Sequence, residues 1–445
     1  GIFKVTYDDL VNLGVPVSGL ASSNISLFGN GGGKLAESNS IDRFDDLQEN
    51  PIQLFDGGDN TFDKGDYFIF YGQGPHTWVY SSITNYFTHS YNIYSDYAYY
   101  YINTDAGIGE KKRIVTVDNS FMAANQNATT YTHYDFYEVD EKNFGESGQK
   151  WFGDLFDITT EHTYSFSLPS YIATSARISL AGAFISATPS YIQVYAKDNY
   201  IGKLSAGAAT GDNIAIYSDA DLIFTPSSST INLTLNYNKP NSSSSAYLDW
   251  IELQATCNLQ MHSAQVPFCN TQTIGTGNIT QYSISNANAN TTVWDVTNPT
   301  NAFRLGGTLA DGTFAFKSPS DTLHKFVAFN GSSYYSVNSV GKVSNQNLHN
   351  SGETEMVIVT YPDFSSQAER LAQYRRTHDG LTVKVVTPQQ IYNEFSSGAQ
   401  DPTAIRDYMK LIYDKSGGNN PKYLLLVGRP SYDYRGRVTG TKNYV

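Results

Sequence analysis

The chain has 445 residues and a formal charge of −13, with 42 acidic and 29 basic residues. This length predicts three or four domains, and the absence of a basic cluster excludes nucleic acid as a partner, because phosphate contacts require clustered Lys and Arg. Only 16% of the residues are charged while 34 are tyrosines, which favours exposed β-sheets over helical bundles, and no apolar run is long enough for a membrane helix.

Residues 1–145 are predicted to form a β-rich amino-terminal domain. Ile2–Thr6 alternates like a strand, Tyr7–Leu13 has the pattern of a short helix, and Asp66–Tyr71 that of a partly buried strand. Tyr91–Ile102 is rich in aromatic and β-branched residues and predicts a strand with a tyrosine face. Cross-strand packing is the commoner use of such a face, and a carbohydrate platform is the alternative.

The loop Asp56–Asp66 combines carboxylates with glycines, a combination that suits a calcium ion. Aligned with a twelve-residue calcium loop, however, it places Phe55 at the first ligand position and Gly57 at the third, so two ligands are lost. A hairpin turn is therefore the favoured interpretation, and calcium is the one cofactor left open. No metal-binding set is predicted, because two cysteines cannot make a CxxC-type zinc site.

Residues 146–255 are predicted to form a jelly-roll-like β-sandwich. Short strands recur between turns rich in Pro, Ser and Asn, which is typical of antiparallel sandwiches. Trp151 and Trp250 are assigned to the core rather than to a sugar platform, and the fold by itself identifies no ligand. The predicted strands are Thr163–Ser167, Ala176–Leu180, Tyr191–Ala196, Asn213–Tyr217, Thr230–Tyr237 and Ala246–Leu253.

The two cysteines, Cys257 and Cys269, have His262 between them, an order that suggests a Cys/His dyad. Such a dyad needs a thiolate, and this β-rich stretch offers no helix N-terminus to lower a thiol pKa. Both cysteines flank a predicted hairpin of Trp250–Leu259 and Gln265–Cys269. A disulfide between Cys257 and Cys269 is therefore predicted, contributing about 3 kcal/mol for so short a loop.

Residues 256–352 are predicted to form a further β domain and a linker into the last domain. His324 and His349 lie in this region, and a lone histidine is usually solvated or hydrogen-bonded. Residues 353–445 then alternate strands and helices, which predicts a parallel sheet with right-handed crossovers. Its predicted strands are Met356–Val359, Leu381–Val386 and Tyr423–Val427, the last buried between helices on both faces.

The helices of this last domain carry start and stop signals. Phe364, Ala368, Leu371 and Ala372 share one face of the first helix, which is predicted to end at Gly380. Thr387 is a predicted N-cap with Gln390 as its capping-box partner, and Asp401-Pro402 is predicted to start a further helix. The inward residues of that helix are Ile405, Tyr408, Met409 and Ile412.

In open parallel sheets, ligands bind beyond the carboxyl ends of the strands. Those ends are predicted at Thr360–Pro362, Thr387 and Gly428–Asp433. A cleft at this edge is the functional interpretation. On these residues alone, a simple turn of the chain at Gly428, Pro430 and Ser431 is favoured.

Six separated blocks of this domain resemble, in order and spacing, the gingipain family of cysteine peptidases. They are residues 357–364, 380–386, 391–398, 405–408, 423–428 and 431–433. Amino-terminal blocks at 27–32, 45–50, 66–75 and 92–97 are similar to the pre-catalytic region of gingipain-related surface sortases of the type IX secretion system of Bacteroidetes. The resemblance therefore spans essentially the whole chain.

The resemblance implies a caspase-like α/β domain with a His/Cys dyad, in an enzyme that removes the carboxyl-terminal secretion signal of cargo and helps attach the cargo to anionic lipopolysaccharide. It also implies an outer-membrane barrel protein and other attachment-complex subunits as partners, at the cell surface and peripheral to the outer membrane. No His-Gly followed by a Cys occurs after Val427, so no catalytic residue is carried over. We expect the domain to be incomplete at Val445, with its dyad encoded further on.

Two hypotheses follow for the function. In the first, the chain is the non-catalytic amino-terminal scaffold of such a sortase. In the second, it is a standalone surface adhesin or carbohydrate-binding β-sandwich protein whose α/β end is a partial fold. An autonomous protein that ended at Tyr444-Val445 with half a parallel sheet unpaired would be prone to aggregation, which favours the first hypothesis.

Overall fold

Strand β1 (Ile2–Thr6) leads directly into helix α1 (Tyr7–Asn12), as predicted. Thr6 ends the strand and caps the helix, because its hydroxyl accepts a hydrogen bond from the N–H of Asp9 while the Asp9 carboxylate accepts one from the N–H of Thr6. The computed structural model describes residues 1–107 and 109–438. The other strands of the amino-terminal unit are β2 (Ser26–Phe28), β3 (Glu49–Asn50), β4 (Ile52–Phe55), β5 (Tyr67–Tyr71), β6 (Thr77–Ser81), β7 (Tyr86–Ser90), β8 (Tyr101–Asn103) and β9 (Thr116–Val117).

The predicted hairpin turn at Asp56–Asp66 is confirmed. Strands β4 and β5 pair antiparallel on either side of it, with Phe55 opposite Tyr67. Its carboxylates accept hydrogen bonds from the loop's own backbone, as when Asp66 accepts from the N–H of Asp63 at 2.7 Å. The loop is therefore closed by its own side chains.

The prediction of a strand over Tyr91–Ile102 is wrong for most of its length. Only β8, at the end of this segment, is a paired strand. The tyrosines before it contact different parts of the protein. Tyr94 packs edge-on against Tyr434, and the Tyr100 hydroxyl accepts from the N–H of Gln73 at 3.0 Å. These long-range contacts outweigh the local β-propensity of the segment.

The predicted sandwich is present as two antiparallel sheets that share one core. One sheet has the order β11-β21-β16-β19 and the other β15-β20-β17-β18. Trp151 is buried as predicted, whereas Trp250 is only partly buried and contacts the His89 ring. The strands in this part of the chain, of which β10, β12 and β13 belong to other sheets, are β10 (Gln126–Ala128), β11 (Thr130–Glu138), β12 (Lys142–Asn143), β13 (Trp151–Phe152), β14 (Leu155–Phe156), β15 (Glu161–Ser167), β16 (Tyr171–Ile185), β17 (Ser190–Ala196), β18 (Asn199–Ala206), β19 (Ile216–Phe224), β20 (Thr230–Asn238) and β21 (Ser245–Asn258).

The third group of strands pairs partly with the first two units. Strand β29 lies parallel to β1, β25 pairs with β9, and β23 pairs with β10, so three sheets join segments far apart in sequence. The domain boundaries drawn from the sequence remain a prediction. The strands of this group are β22 (Gln265–Cys269), β23 (Ile279–Ile284), β24 (Thr292–Asp295), β25 (Phe303–Leu305), β26 (Gly307–Ala310), β27 (Thr313–Pro319), β28 (Lys325–Phe329) and β29 (Tyr335–Ser336).

The carboxyl-terminal unit is a three-stranded parallel sheet in the order β31-β30-β32. Val357 and Val359 lie in the same core as Tyr408 and Ile412 of α4, and Ile358 lies on the other side of the sheet with Ala368 and Ala372 of α2. The elements are β30 (Met356–Thr360), α2 (Ser365–His378), β31 (Val383–Val386), α3 (Pro388–Phe395), α4 (Thr403–Lys415) and β32 (Tyr423–Val427). Residues 439–445 of this predicted domain lie outside the described residues.

Two details of this unit differ from the prediction. The N-cap position of α4 is Pro402, although the preceding Asp401 accepts from the N–H of Thr403 at 2.9 Å. Strand β32 is parallel as predicted but is not buried on both faces. Tyr423, Leu424 and Leu426 are 54%, 43% and 46% exposed, because β32 is an edge strand with β30 as its one neighbour among the described strands.

Candidate functional edge of the parallel sheet

The carboxyl ends of the three parallel strands lie together at one edge of the sheet. Val359 pairs with Val386 on one side, and Thr360 pairs with Val427 on the other. The buried Thr360 hydroxyl donates to the carbonyl of Tyr361 at 3.2 Å, and the N–H of Tyr361 donates to the carbonyl of Val427 at 3.1 Å. The backbone at the edge where such sheets bind ligands is therefore held in place by hydrogen bonds.

Thr387, the second predicted edge residue, has a structural role. Its hydroxyl accepts from the N–H of Gln390 at 3.3 Å, and the Gln390 side chain accepts from the N–H of Thr387 at 2.9 Å. This is the predicted capping box, and it sets the start of α3 at the sheet edge.

The segment after β32 does more than turn the chain. Beyond Gly428 it leaves the sheet and packs on the β units, where Tyr432 stacks on Trp151 with ring centroids 6.0 Å apart. Asp433, which is 1% exposed, accepts from the N–H of Val438 at 2.6 Å and so closes the segment on itself. The third predicted edge segment is therefore anchored at a seam between the α/β unit and the sandwich.

Two arginines make the charged part of this seam. Arg437 donates to the buried carboxylate of Asp140 at 2.7 Å, and its guanidinium lies 4.5 Å from the Trp151 ring. Arg435 pairs with Asp96 and lies 5.3 Å from the Tyr91 ring. Burial raises the pKa of Asp140 to about 6, with the arginines opposing the rise.

The predicted disulfide between Cys257 and Cys269 is wrong, because both thiols are free and buried. The predicted hairpin does not form: β21 pairs with β11 and β16, whereas β22 pairs with β28 in another sheet. Burial raises the pKa of Cys257 to about 11 and that of Cys269 to about 12, so neither is a thiolate at neutral pH. His262 lies on the exposed surface. The structure thus assigns the cysteines to packing.

The sequence missed a cluster formed by Asp46, His349 and Glu394, whose side-chain oxygen and nitrogen atoms converge within 4.8 Å. His349 donates from Nδ1 to Glu394 Oε2 at 2.7 Å and from Nε2 to the carbonyl of Asp45 at 2.6 Å. Since both ring nitrogens donate, the geometry suits an imidazolium ion rather than a metal ligand. Residues this far apart in the chain gave no periodic or motif signal, and for His349 the sequence left a solvated and a hydrogen-bonded side chain equally open.

Comparisons with known proteins agree with the fold. Residues 349–445 match the sequence family described as Peptidase family C25, which confirms the gingipain-like interpretation of this region. The chain is similar over 99% of its length to dimeric latent PorU from Porphyromonas gingivalis, with a TM-score of 0.86 and 24% identity. It covers 41% of that chain and so spans about two fifths of its length. No curated protein sequence matches.

Two carbohydrate-binding modules are similar to smaller parts of the chain. A CBM36 module in complex with calcium and xylotriose is 15% identical, with 27% of this chain and 98% of that chain covered and a TM-score of 0.19. A family 35 module from Clostridium thermocellum is 8% identical, with 28% and 98% covered and a TM-score of 0.20. Scores this low support no conclusion about sugar or calcium binding.

Proposed function

We propose that this chain is the amino-terminal, non-catalytic scaffold of a type IX secretion system sortase. The observation that carries the proposal is that the likeness to PorU extends over 99% of the chain while the C25 match is confined to residues 349–445. The β units would then support a cysteine peptidase of the gingipain type. In the longer protein, this peptidase removes the carboxyl-terminal signal of cargo and helps attach the cargo to anionic lipopolysaccharide.

Contacts between the units support a scaffold role. The α/β unit is linked to the β units by ion pairs with buried acceptors, since the carboxylates of Asp140 and Asp407 are each 2% exposed. Asp140 meets Arg437 at the sheet edge, and Asp407 meets Arg43 of the amino-terminal unit at 3.0 Å. The Arg437–Asp140 pair is costly to separate, because separation would leave the Asp140 charge buried without its closest partner.

The exposed face of β32 supports the expectation that another part of the same protein packs against this strand. Leu424 and Leu426 project from the same face of an edge strand and are 43% and 46% exposed, and natural proteins usually cover such edges. A parallel sheet of this kind is normally covered on both faces. We expect the remaining half of the peptidase domain to extend the sheet at β32.

The proposal includes the cell surface as location, with the protein peripheral to the outer membrane. Its partners there would be an outer-membrane barrel protein, other attachment-complex subunits, secreted cargo and lipopolysaccharide. Among residues 1–107 and 109–438, no helix combines the length and apolar character needed to cross a membrane. Attachment through a protein partner is compatible with this finding.

A comparison of two protein lengths tests the proposal. The 445-residue chain and the protein translated from the complete reading frame are each incubated with a cargo protein that carries its carboxyl-terminal signal, under reducing conditions. We expect signal removal by the longer protein alone, and the double variant Cys257→Ser/Cys269→Ser of the longer protein should remain active. Cleavage by the 445-residue chain that is lost in the same double variant would overturn the proposal, as would an inactive longer protein.

A further inference from the structure

Residues 29–48, here called the strap, form a long irregular loop whose two ends are joined. Strands β2 and β3 pair directly at its base, with Leu27 opposite Asn50 and Phe28 opposite Glu49. Loops of this length without regular secondary structure are uncommon in compact domains and are usually either functional loops or linkers. Because its base is closed by strand pairing, the strap can move without unravelling the amino-terminal unit.

The middle of the strap lies on the α/β unit and is attached there mainly by polar contacts. The N–H of Leu35 donates to Asp401 at 2.8 Å, and Arg406 donates to the carbonyls of Ala36 and Glu37. The acceptor Asp401 is 1% exposed. Leu35 is the one strap side chain that joins the apolar core of this unit.

The first charged contact is the pair between Arg43 and Asp407. Arg43 Nε lies 3.0 Å from Asp407 Oδ2, and the two side chains are 21% and 2% exposed. Asp407 also accepts from Arg406 at 2.8 Å, so the carboxylate is shared between a strap residue and a residue of its own helix. Loss of Arg43 would therefore leave Asp407 with a partner and the α4 helix intact.

The second charged contact is made by His349, which lies in the linker before β30. Its imidazole bridges Glu394 of α3 and the backbone of the strap at Asp45. Glu394 is also fixed from the linker side, where it accepts from the N–H of Leu348 at 2.7 Å and from Gln346 at 2.7 Å. The imidazole is thus positioned from α3, and its other nitrogen is directed at the strap.

We propose that the strap is a releasable clamp between the amino-terminal unit and the α/β unit, and that it is closed by the Arg43–Asp407 and His349–Asp45 contacts. Apart from Leu35, most of residues 34–46 are exposed, including Ile41 and Phe44 at 54% and 42%. Little apolar burial therefore opposes opening, and the charged and polar contacts decide whether the clamp is closed. This holds whatever reaction the longer protein catalyses.

The clamp responds to pH through the groups that face His349. These are Glu394 on α3, Asp45 and Asp46 on the strap, and Lys415 on α4, which donates to the His349 carbonyl. Burial opposes charge on both partners, but the other contacts together outweigh it. Hydrogen bonds to Glu394 and Asp45 and the charges of Glu394 and Asp46 raise the pKa of His349. Hydrogen bonds from His349, Gln346 and Leu348 lower the pKa of Glu394.

These shifts define the pH range in which the clamp is closed. The histidine contribution is complete below its ordinary pKa of 6.5 and is lost as the pH rises through the raised value. The glutamate contribution is complete above its ordinary pKa of 4.5 and is lost as the pH falls through the lowered value. The clamp is therefore tightest between these two values.

Hydrogen exchange with mass spectrometry on the 445-residue chain tests the proposal. In the variants Arg43→Gln and His349→Gln, amides of residues 30–46 should exchange up to about fivefold faster than in the unchanged chain, which corresponds to about 1 kcal/mol for loss of a partly exposed ion pair. The matched controls are Arg370→Gln and His378→Gln, which alter exposed residues of α2. Peptides from the sandwich core, such as β16 and β21, should be unchanged in all four.

Unchanged exchange in residues 30–46 of both strap variants would overturn the proposal. If a variant exchanges faster in the sandwich core as well, it has lost its fold. The proposal is then tested on the unchanged chain by a comparison of two pH values. After correction for the intrinsic pH dependence of exchange, the strap amides of the unchanged chain should exchange faster at pH 8.5 than at pH 6. The amides of β16 and β21 should exchange equally at both. Equal corrected exchange at both pH values would refute the clamp.

Discussion

Arg437 donates a hydrogen bond of 2.7 Å to Asp140 although 297 positions separate them in the sequence. The contact joins the segment that follows the parallel sheet to the strand end of the sandwich, and the guanidinium also lies on the Trp151 ring. The carboxyl edge of the sheet therefore takes its position from the β units as well as from its own domain.

Replacement of Arg437 by Ala should destabilise the chain in a pH-dependent way. At pH 8, Asp140 is ionised and would lose its closest cation, so we expect a loss of about 3 kcal/mol. At pH 5 the loss should be smaller, because the pKa of Asp140 is raised by burial to about 6 and the carboxyl is then largely neutral. Differential scanning calorimetry at both pH values measures this, with the exposed Arg370→Ala as control. An equal loss at pH 5 and pH 8 would contradict the assignment.

His89 should stabilise the packing of the β6–β7 hairpin on the sandwich below pH 9. It lies between Glu138 and Glu252, with nitrogen to oxygen distances of 2.5 and 2.6 Å. Burial opposes its charge, yet the two hydrogen bonds raise the pKa of His89 to about 9. Because the folded value exceeds the ordinary 6.5, the contribution is complete below pH 6.5 and is lost as the pH rises through about 9.

The variant His89→Gln should therefore lose about 3 kcal/mol at pH 6.5 and much less at pH 10, since each unit of pKa shift corresponds to about 1.4 kcal/mol. Thermal unfolding at the two pH values gives the comparison. The exposed His378→Gln variant should behave like the unchanged chain at both pH values. A destabilisation of His89→Gln that does not depend on pH would show that the imidazole is neutral in the folded protein.

Both cysteines should react with a thiol reagent as buried free thiols. A thiol reagent such as 5,5′-dithiobis(2-nitrobenzoate) should react slowly with the folded chain, because Cys257 and Cys269 are both 0% exposed. In guanidinium without reductant it should detect two thiols per chain, and one in the Cys257→Ser variant. If no thiols are detected in the unfolded, unreduced chain, the disulfide predicted from the sequence is present after all.

Leu180 tests the shared core of the sandwich. It is 0% exposed on β16, whereas Ile223 on the neighbouring β19 is 55% exposed. We expect Leu180→Ala to reduce the free energy of unfolding by about 2 to 5 kcal/mol, the usual cost of a cavity at a buried leucine, and Ile223→Ala to change it by less than about 0.5 kcal/mol. Similar losses in the two variants would contradict the packing described for these sheets.

Local patterns predicted many of the regular elements, but they missed β18, and the strand predicted at Asn213–Tyr217 begins only at Ile216 as β19. The limits of β1 follow from its alternation, α1 ends one residue before its predicted end, and the capping box at Thr387 could be read directly from residue types. These features depend on neighbours within a few positions. The two-sheet sandwich was also predictable, because strand length and turn spacing are local properties as well.

The features that were missed depend on partners far away in the chain. Tyr91–Ile102 has the composition of a strand, but the tyrosines before β8 find separate partners, as when the Tyr100 hydroxyl accepts from the N–H of Gln73 at 3.0 Å. The cysteines are close in sequence, yet β21 and β22 belong to different sheets. The Arg43–Asp407 and Arg437–Asp140 pairs cross between units, and a single sequence carries no signal for such pairs.

Labelling with an irreversible cysteine-directed electrophile tests the central claim most directly. The protein translated from the complete reading frame is treated with a peptide epoxide under native conditions, and the modified residue is located by mass spectrometry. The scaffold account predicts one rapidly labelled cysteine beyond residue 445, with Cys257 and Cys269 unmodified on the same timescale. Rapid labelling at Cys257 or Cys269, with loss of cargo cleavage, would contradict it.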